Sequence, residues 1–358
     1  MAHDMGRMLK GSVFVDRFRD GVEQAVFRQY LQEHWPGGGA LAIEDFRAIT
    51  DGWENEVYSF RLINHGVGQD LILRVYPGCD GVVKSSWEFD IMGLLGRTGF
   101  PVPAVYLLEP AGVFSPKPFM IMEKITGPSL REMLLDDPNP QGKLLDTFCQ
   151  ILVDLHSWDW QPHRGVLAPM LIESQALGFQ QDLRKWSGVF GHGFEPAFDW
   201  LSTKYSQMGW EPLCLTHGDF HPGNILMRGG NSPFVIDWGG ARLQDFRFDL
   251  AWTMLLMSTY GGEELRDSIL GKYQAISGKH VLNMECFEAV AALRRLLSVY
   301  LSVTKGAEQL GMRPGAAAMM QNDLPHLERV YGVFQDRTEM DLPVIEDFLA
   351  GMCPSSQT

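Results

Sequence analysis

The sequence predicts an α+β chain of two lobes, a small one built on an antiparallel sheet with one key helix, then a larger and mainly helical one. Three observations carry the prediction. Between residues 40 and 125 the apolar residues sit in short runs rich in Val, Ile, Leu, Tyr and Phe, separated by Gly, Asp and Pro, which is the texture of strands and turns. From residue 127 onward they recur mostly three and four apart over longer stretches, the period of helices buried on one face. Within that second region, "ILMRGGNSPFVI" (225–236) holds a glycine-rich turn between two apolar runs, a hairpin signal.

The elements follow in order. A helix over 18–35 places Val22, Val26, Phe27, Tyr30 and Leu31 at helical spacing, and the glycines at 37–39 close it. Five strand-like segments come next: "ALAIEDFRAI", "EVYSFRL", "DLILRVY", "VYLLE" and "FMIMEKI". One helix interrupts them near 84–97, with Trp87, Ile91, Leu94 and Leu95 on one face, and "GFPVP" (99–103) ends it. The chain then turns helical. "LLDTFCQILVDLH" (144–156) is the clearest case, and further helices are expected near 171–188, 194–207, 247–258, 263–276, 284–304, 317–335 and 343–351. The division is residues 1–39 as a helical extension, 40–125 as the small lobe and 126–358 as the large lobe, with the junction near 123–127.

Composition narrows the function classes. The chain has 358 residues, enough for two lobes with ample core, and a formal charge of −14. That charge disfavours nucleic acid as a partner. Residues 127–358 carry 28 acids against 18 bases, so the excess lies mostly in the large lobe. An acidic face attracts cations, although the commoner meaning is solubility. The five cysteines, Cys79, Cys149, Cys214, Cys286 and Cys353, are scattered and never form a C-x-x-C pair. This argues against a disulfide framework or zinc site and suits a reducing cytoplasm. No secretory signal and no membrane-length apolar run is visible.

The stretch "HGDFHPGNIL" (217–226) puts Asp219 and Asn224 five residues apart, directly before the hairpin. With the turn centred on Gly230-Asn231, Met227 faces Phe234, Ile225 faces Ile236 and Asn224 faces Asp237, although 13 positions separate the last two. Two carboxylates and a carboxamide would then converge, and like charges repel unless a cation joins them. Mg²⁺ resolves this, because it takes oxygen ligands and few of them from protein, leaving places for phosphate and water. A polar turn at the open end of a hairpin is the plainer alternative.

These residues carry a resemblance. "HGDFHPGNIL" followed by "VIDWGGARLQDFRFDLAW" resembles the aminoglycoside phosphotransferase and choline kinase family, small-molecule kinases with a protein-kinase-like fold. The likeness is specific over this cluster and looser over residues 45–260. It implies a Mg²⁺-dependent kinase that moves the γ-phosphate of ATP or GTP to a hydroxyl of a small molecule. On that resemblance Asp219 orients the acceptor hydroxyl, and Asn224 and Asp237 bind the metal. Asp245 and Asp249 match a family pattern, with Asp249 tying down the loop backbone. His156, His217 and His221 brace rather than exchange protons. The tryptophans are read as packing, with Trp238 wedged under the metal site.

The small lobe supplies the nucleotide parts that the resemblance implies. Arg74 in "LILRVY" stands where protein kinases have Lys and would hold the phosphates, positioned by Glu88 in "KSSWEFDIM". Arg offers a planar fork where Lys offers a point charge. Glu88 also completes a capping box with Ser85, so ion pairing and capping both remain open. "ITDGWENEVYSF" (49–60) occupies the place of the glycine-rich loop with Gly52 alone, and Trp53 and the backbone up to Asn55 would cover the phosphates. A plain turn between strands is compatible with this. In "FMIMEKITGPSL" the backbone of Glu123 and Ile125 would meet the nucleobase, with Met122 lining the pocket.

Gly218 replaces the Arg of His-Arg-Asp, nine residues separate Gly239 from Asp249, and no Ala-Pro-Glu follows. These features favour a small-molecule acceptor over a protein. The resemblance implies an acceptor site on the helical lobe, where the acids that would suit a cationic acceptor, aminoglycoside-like or an amino alcohol, include Glu263, Glu264, Glu285, Glu288, Asp323, Glu339 and Asp341. The rival class is a catalytically degenerate homologue that binds nucleotide or ligand. The sequence leaves acceptor, nucleotide base and oligomeric state open.

Overall fold

The computed structural model describes residues 22–49, 55–77, 80–110, 114–137, 142–168, 175–190, 192–306 and 324–352. These residues form two compact units, the lobes of the α+β chain, the first ending at Ile125 and the second beginning at Thr126. Among the described residues no helix is long and apolar enough to cross a membrane.

The first unit is a five-stranded antiparallel sheet in the order β1-β2-β3-β5-β4. Its strands are β1 (Leu41–Ile49), β2 (Glu56–Asn64), β3 (Val67–Val75), β4 (Val105–Glu109) and β5 (Phe119–Glu123). Successive strand side chains point to opposite faces. Leu71, Leu73 and Val75 of β3 join Phe60, Phe119 and Ile121 in one core, and α1 (Val22–His34) closes it with Phe27, Tyr30 and Leu31. The helix expected as an extension is thus part of the small lobe's core. Val26, expected on its apolar face, is exposed. Helix α2 (Gly81–Arg97) packs on β4 and β5 and buries Glu88, Ile91, Leu94 and Leu95.

The second unit is mainly helical: α3 (Leu130–Asp136), α4 (Lys143–His156), α5 (Gln175–Phe190), α6 (Glu195–Ser206), α7 (Phe246–Ser277), α8 (Met284–Leu301), α9 (Leu324–Thr338) and α10 (Pro343–Met352). Helix α3 was not expected. Its signal is a capping box in which Ser129 and Glu132 exchange hydrogen bonds. The two helices expected over 247–258 and 263–276 run on as α7, broken at Gly262 by a φ of 69°. Helices α4 and α8 both pack against α7.

Two small ribbons sit among these helices. Strand β6 (Cys214–Thr216) pairs with β9 (Arg242–Gln244), and β7 (Ile225–Arg228) pairs with β8 (Ser232–Val235). The hairpin register corrects the expected one by a residue. Ile225 faces Val235, Leu226 faces Phe234 and Met227 faces Pro233. The loop is three residues, with Gly229 and Gly230 at positive φ, so the turn centres on Gly230. This register buries Ile225, Met227 and Val235 together, and a slip of one residue would have turned that face to solvent.

Candidate active site

The predicted site residues fall into two groups, one in each unit. In the first unit, alternation along β3 puts Arg74 on the face opposite Leu73 and Val75, toward α2. Arg74 is 8% exposed and Glu88 is fully buried. Arg74 Nη1 lies 3.1 Å from Glu88 Oε1, and the Tyr76 hydroxyl donates to Glu88 Oε2 at 2.7 Å. The other edge of the guanidinium is also held. With the Asn55 amide turned oxygen-inward, its Oδ1 accepts from Arg74 Nη2 at 2.7 Å and from Nε at 2.9 Å. A planar fork can serve Asn55 and Glu88 at once, and a lysine cannot.

The capping alternative for Glu88 is corrected. Helix α2 starts at Gly81 after Asp80, which leaves Ser85 and Glu88 in its interior. The Ser85 hydroxyl donates to the Val82 carbonyl instead. Gly52 and Trp53 lie outside the described residues. At the end of β5 the Glu123 amide donates to Ala104 O at 2.8 Å, so that group is spent within the unit. Ile125 is buried.

In the second unit the loop 217–224 runs from β6 into the hairpin. Asn224 Nδ2 donates to the Asp219 carbonyl at 2.9 Å and reaches Asp219 Oδ2 at 3.4 Å. The amide nitrogen thus turns toward Asp219, and Oδ1 lies on the opposite side of the carboxamide. Asn224 does not face Asp237 as expected. Its direct partner is Ile236, whose amide donates to Asn224 O at 2.9 Å. The Ile236 carbonyl accepts from His217 Nε2, also at 2.9 Å. Both backbone groups of Ile236 are therefore committed, and Asp237 leaves the hairpin in the left-handed region at φ 70°. Trp238 is fully buried, with its ring centroid 4.6 Å from that of His217.

The loop itself is tightly held. Asp249 of α7, 1% exposed, accepts the amides of His217 and Gly218 at 2.8 and 2.9 Å. His156 lies behind it, with Nε2 3.3 Å from Asp249 Oδ2 and Nδ1 2.9 Å from the Tyr273 hydroxyl. Gly218 has a φ of +82°, and a Cβ there would stand 2.3 Å from the Gly240 carbonyl oxygen. Only glycine lets the loop approach 240 so closely.

Three residues make contacts here that were not anticipated. Trp252, read from the sequence as packing, donates from Nε1 to Asp219 Oδ1 at 2.7 Å. Thr253 donates to the Phe220 carbonyl at 2.8 Å. Arg294 of α8 donates to the Gly218 carbonyl at 3.1 Å and lies 4.3 Å above the Trp252 ring. The available signal was helical spacing: 249, 252 and 253 share one face.

The electrostatics favour a carboxylate at 219. Partial burial works to raise its pKa, but His221, whose Nε2 lies 3.7 Å from Oδ2, then the Trp252 indole hydrogen bond and His217, outweigh it and hold the group well below the usual carboxylate range. The side chain still has 41% of its surface accessible. Among the described residues no cluster of three or more His, Cys, Asp or Glu is arranged to hold a metal. The candidate donors are one carboxamide oxygen and one carboxylate, both hard and too few for an all-protein cage. That set fits Mg²⁺ sharing its shell with phosphate.

The acids expected to meet a cationic acceptor divide. Glu288 is 2% exposed and bound by Arg266 and Arg337 at 2.7–3.0 Å, so it is internal structure. Glu263 also reaches Arg337. Glu264 and Glu285 are exposed, and Asp323 lies outside the described residues.

Comparison with known proteins agrees with this architecture. Residues 45–287 match the model of the phosphotransferase enzyme family, APH. A Ralstonia eutropha protein provisionally assigned as an aminoglycoside phosphotransferase shares the fold at TM-score 0.57 and 17% identity, over 86% of this chain and 98% of that one. A thermostable mutant of aminoglycoside phosphotransferase APH(4)-Ia, in ternary complex with ADP and hygromycin B, matches at 0.55 and 17%, over 86% and 97%. The streptomycin–ATP–APH(2")-IIa complex matches at 0.53 and 17%, over 87% and 98%. The chain belongs to the phosphotransferase enzyme family.

Proposed function

We propose that this phosphotransferase moves the γ-phosphate of ATP or GTP to a hydroxyl of a small cationic molecule, aminoglycoside-like or an amino alcohol, with Asp219 as its catalytic residue. The observation that carries the reading is the coupling of Asp219 to Asn224. One amide nitrogen holds the Asp219 backbone and carboxylate, which ties the residue orienting the hydroxyl to a residue that would hold the metal.

Arg74, set by Glu88 and Asn55, takes the nucleotide phosphates. The backbone near Glu123 and Ile125 and the loop carrying Gly52 and Trp53 complete the nucleotide contacts. Asn224 and Asp237 would hold Mg²⁺, which supplies charge neutralisation on the phosphate oxygens when bound. Asp219 accepts the hydrogen bond of the acceptor hydroxyl and aims its oxygen at the γ-phosphorus. The new oxygen–phosphorus bond forms as the bond to the bridging oxygen breaks. That oxygen leaves with the electron pair on the nucleoside diphosphate, and the hydroxyl proton passes toward Asp219. Catalysis here is mostly positioning, so the low-lying carboxyl of Asp219 is no obstacle. The cationic acceptor is supported by exposed acids such as Glu264 and Glu285 and by the aminoglycosides bound in the related structures.

The test is nucleoside diphosphate release from MgATP and MgGTP across aminoglycosides, choline, ethanolamine, homoserine and sugars, with Asp219→Asn alongside. Acceptor-dependent release is expected from the wild type. The variant should keep its nucleotide affinity and lose about two or more orders of magnitude in kcat. A variant with near-normal turnover would remove Asp219 from its role.

A further inference from the structure

The first turns of α7 hold the loop residue by residue. Asp249 takes the amides of 217 and 218, Trp252 takes the carboxylate of 219, and Thr253 takes the carbonyl of 220. We propose that Trp252 is a positioning residue for phosphoryl transfer: its indole N–H anchors Asp219 Oδ1, so that Oδ2 is the oxygen offered to the acceptor hydroxyl, and Arg294 locks the indole in place. This rests on the role given above to Asp219.

A carboxylate turns easily about its last torsion, which is broad and two-fold. Something must choose which oxygen meets the substrate. At Asp219 the two oxygens are held unequally. Oδ1 receives the indole proton at 2.7 Å, at the short end for an N–H donor and typical of a charge-assisted bond. Among the described residues, the polar neighbours of Oδ2 are longer, Asn224 Nδ2 at 3.4 Å and His221 Nε2 at 3.7 Å.

Trp252 is itself immobilised. It is 7% exposed, with the Arg294 guanidinium 4.3 Å above its ring. The same guanidinium donates to the Gly218 carbonyl, which ties α8, the indole and the loop into one bracket. A tryptophan has a single donor. A packing role would be met by phenylalanine and would not require that donor to meet the carboxylate.

The experiment compares the full-length wild type with Trp252→Phe, Arg294→Met and Asp219→Asn. The first readout is ADP release from MgATP with water as acceptor. Trp252→Phe keeps the ring under Arg294 and deletes the donor. It should lower kcat by about tenfold to a hundredfold, the worth of a charge-assisted hydrogen bond, and leave KM for ATP within about twofold. Arg294→Met should show a smaller loss with the same split. The second readout needs no turnover. In ¹⁵N-labelled protein the Trp252 indole proton, identified by its loss in Trp252→Phe, should move upfield in Asp219→Ala.

An unchanged kcat in Trp252→Phe beside an inactive Asp219→Asn would overturn the positioning role and leave Asp219 in place. Normal turnover in Asp219→Asn would instead overturn the role of Asp219, and this inference with it. An indole signal indifferent to Asp219→Ala would overturn the hydrogen bond itself, even if Trp252→Phe proved too unstable to assay.

Discussion

Replacing Gly218 by alanine tests the packing of the loop 217–224 against the segment after the hairpin. Gly218 has a φ of +82°, and a Cβ there would come 2.3 Å from Gly240 O and 2.9 Å from its carbonyl carbon. Both atoms are backbone, so no side chain can swing aside. Gly230 at the hairpin tip provides the control, since its φ is +78° and nothing lies within 4 Å of its built Cβ. Alanine at positive φ costs about 1–2 kcal/mol, and the stiffer unfolded chain returns about 0.4–1 kcal/mol. Gly230→Ala should therefore cost about 1 kcal/mol. Gly218→Ala carries the same cost plus overpacking of about 1–3 kcal/mol, or about 3 kcal/mol in all. At roughly 2–4 °C per kcal/mol, Tm should fall by about 2–4 °C in the control and about 6–12 °C in Gly218→Ala. Calorimetry measures both, and ADP release should fall in Gly218→Ala alone. Equal losses of Tm in the two variants would refute the close approach of 218 to 240.

Further outcomes follow from the same geometry. Arg74→Lys keeps the charge but cannot serve Asn55 and Glu88 together. It should cost about 1–2 kcal/mol in a denaturant titration and raise KM for ATP, and an unchanged KM would remove Arg74 from phosphate binding. Asp249→Ala leaves the His217 and Gly218 amides unanswered and should destabilise by about 3–5 kcal/mol at pH 7. Burial pushes the Asp249 carboxyl up, but the hydrogen bond and charge of His156, then His217, outweigh it and lower its pKa. A lowered pKa gives stability that is complete above the unfolded value, about 3.9 for Asp, and is lost as pH falls through the folded one. The difference between wild type and variant melts should therefore hold steady down to about pH 4 and shrink only below it. Burial pushes the Cys149 thiol up to about 12 and raises that of Cys214 as well, so both should resist alkylation at pH 8 in the native protein and react after unfolding.

Much of the fold was legible because its signals are local. Short apolar runs bounded by turn residues marked β2, β3 and β5, and helical spacing marked α1 and α4. The break at Gly262 was foreseen as a boundary between two helices. The shorter elements escaped for a different reason. Strands β6 and β9 have three residues each and owe their existence to each other across 26 positions, from Thr216 to Arg242. No local pattern encodes such a pair. Helix α3 did have a local signal in Ser129 and Glu132, of a kind that outweighs the short apolar run behind it.

The candidate site shows the same division. The sequence alone determined the residue types and their order: Asp219 and Asn224 five apart, a glycine-rich turn, Asp237 beyond it, and an Arg and a Glu on neighbouring elements of the small lobe. These are consequences of spacing, and spacing is covalent. The tertiary structure decided which atoms meet. Burial of Ile225, Met227 and Val235 set the hairpin register one residue from the symmetric expectation, so that Asn224 faces Ile236 rather than Asp237. The start of α2 at Gly81 turned Glu88 from a possible cap into the buried partner of Arg74. Packing of α7 and α8 beside the loop brought Trp252 to Asp219, and Arg266 and Arg337 withdrew Glu288 from any ligand. A side chain's partner depends on burial and on the desolvation of its neighbours, and both are set only when distant segments pack together.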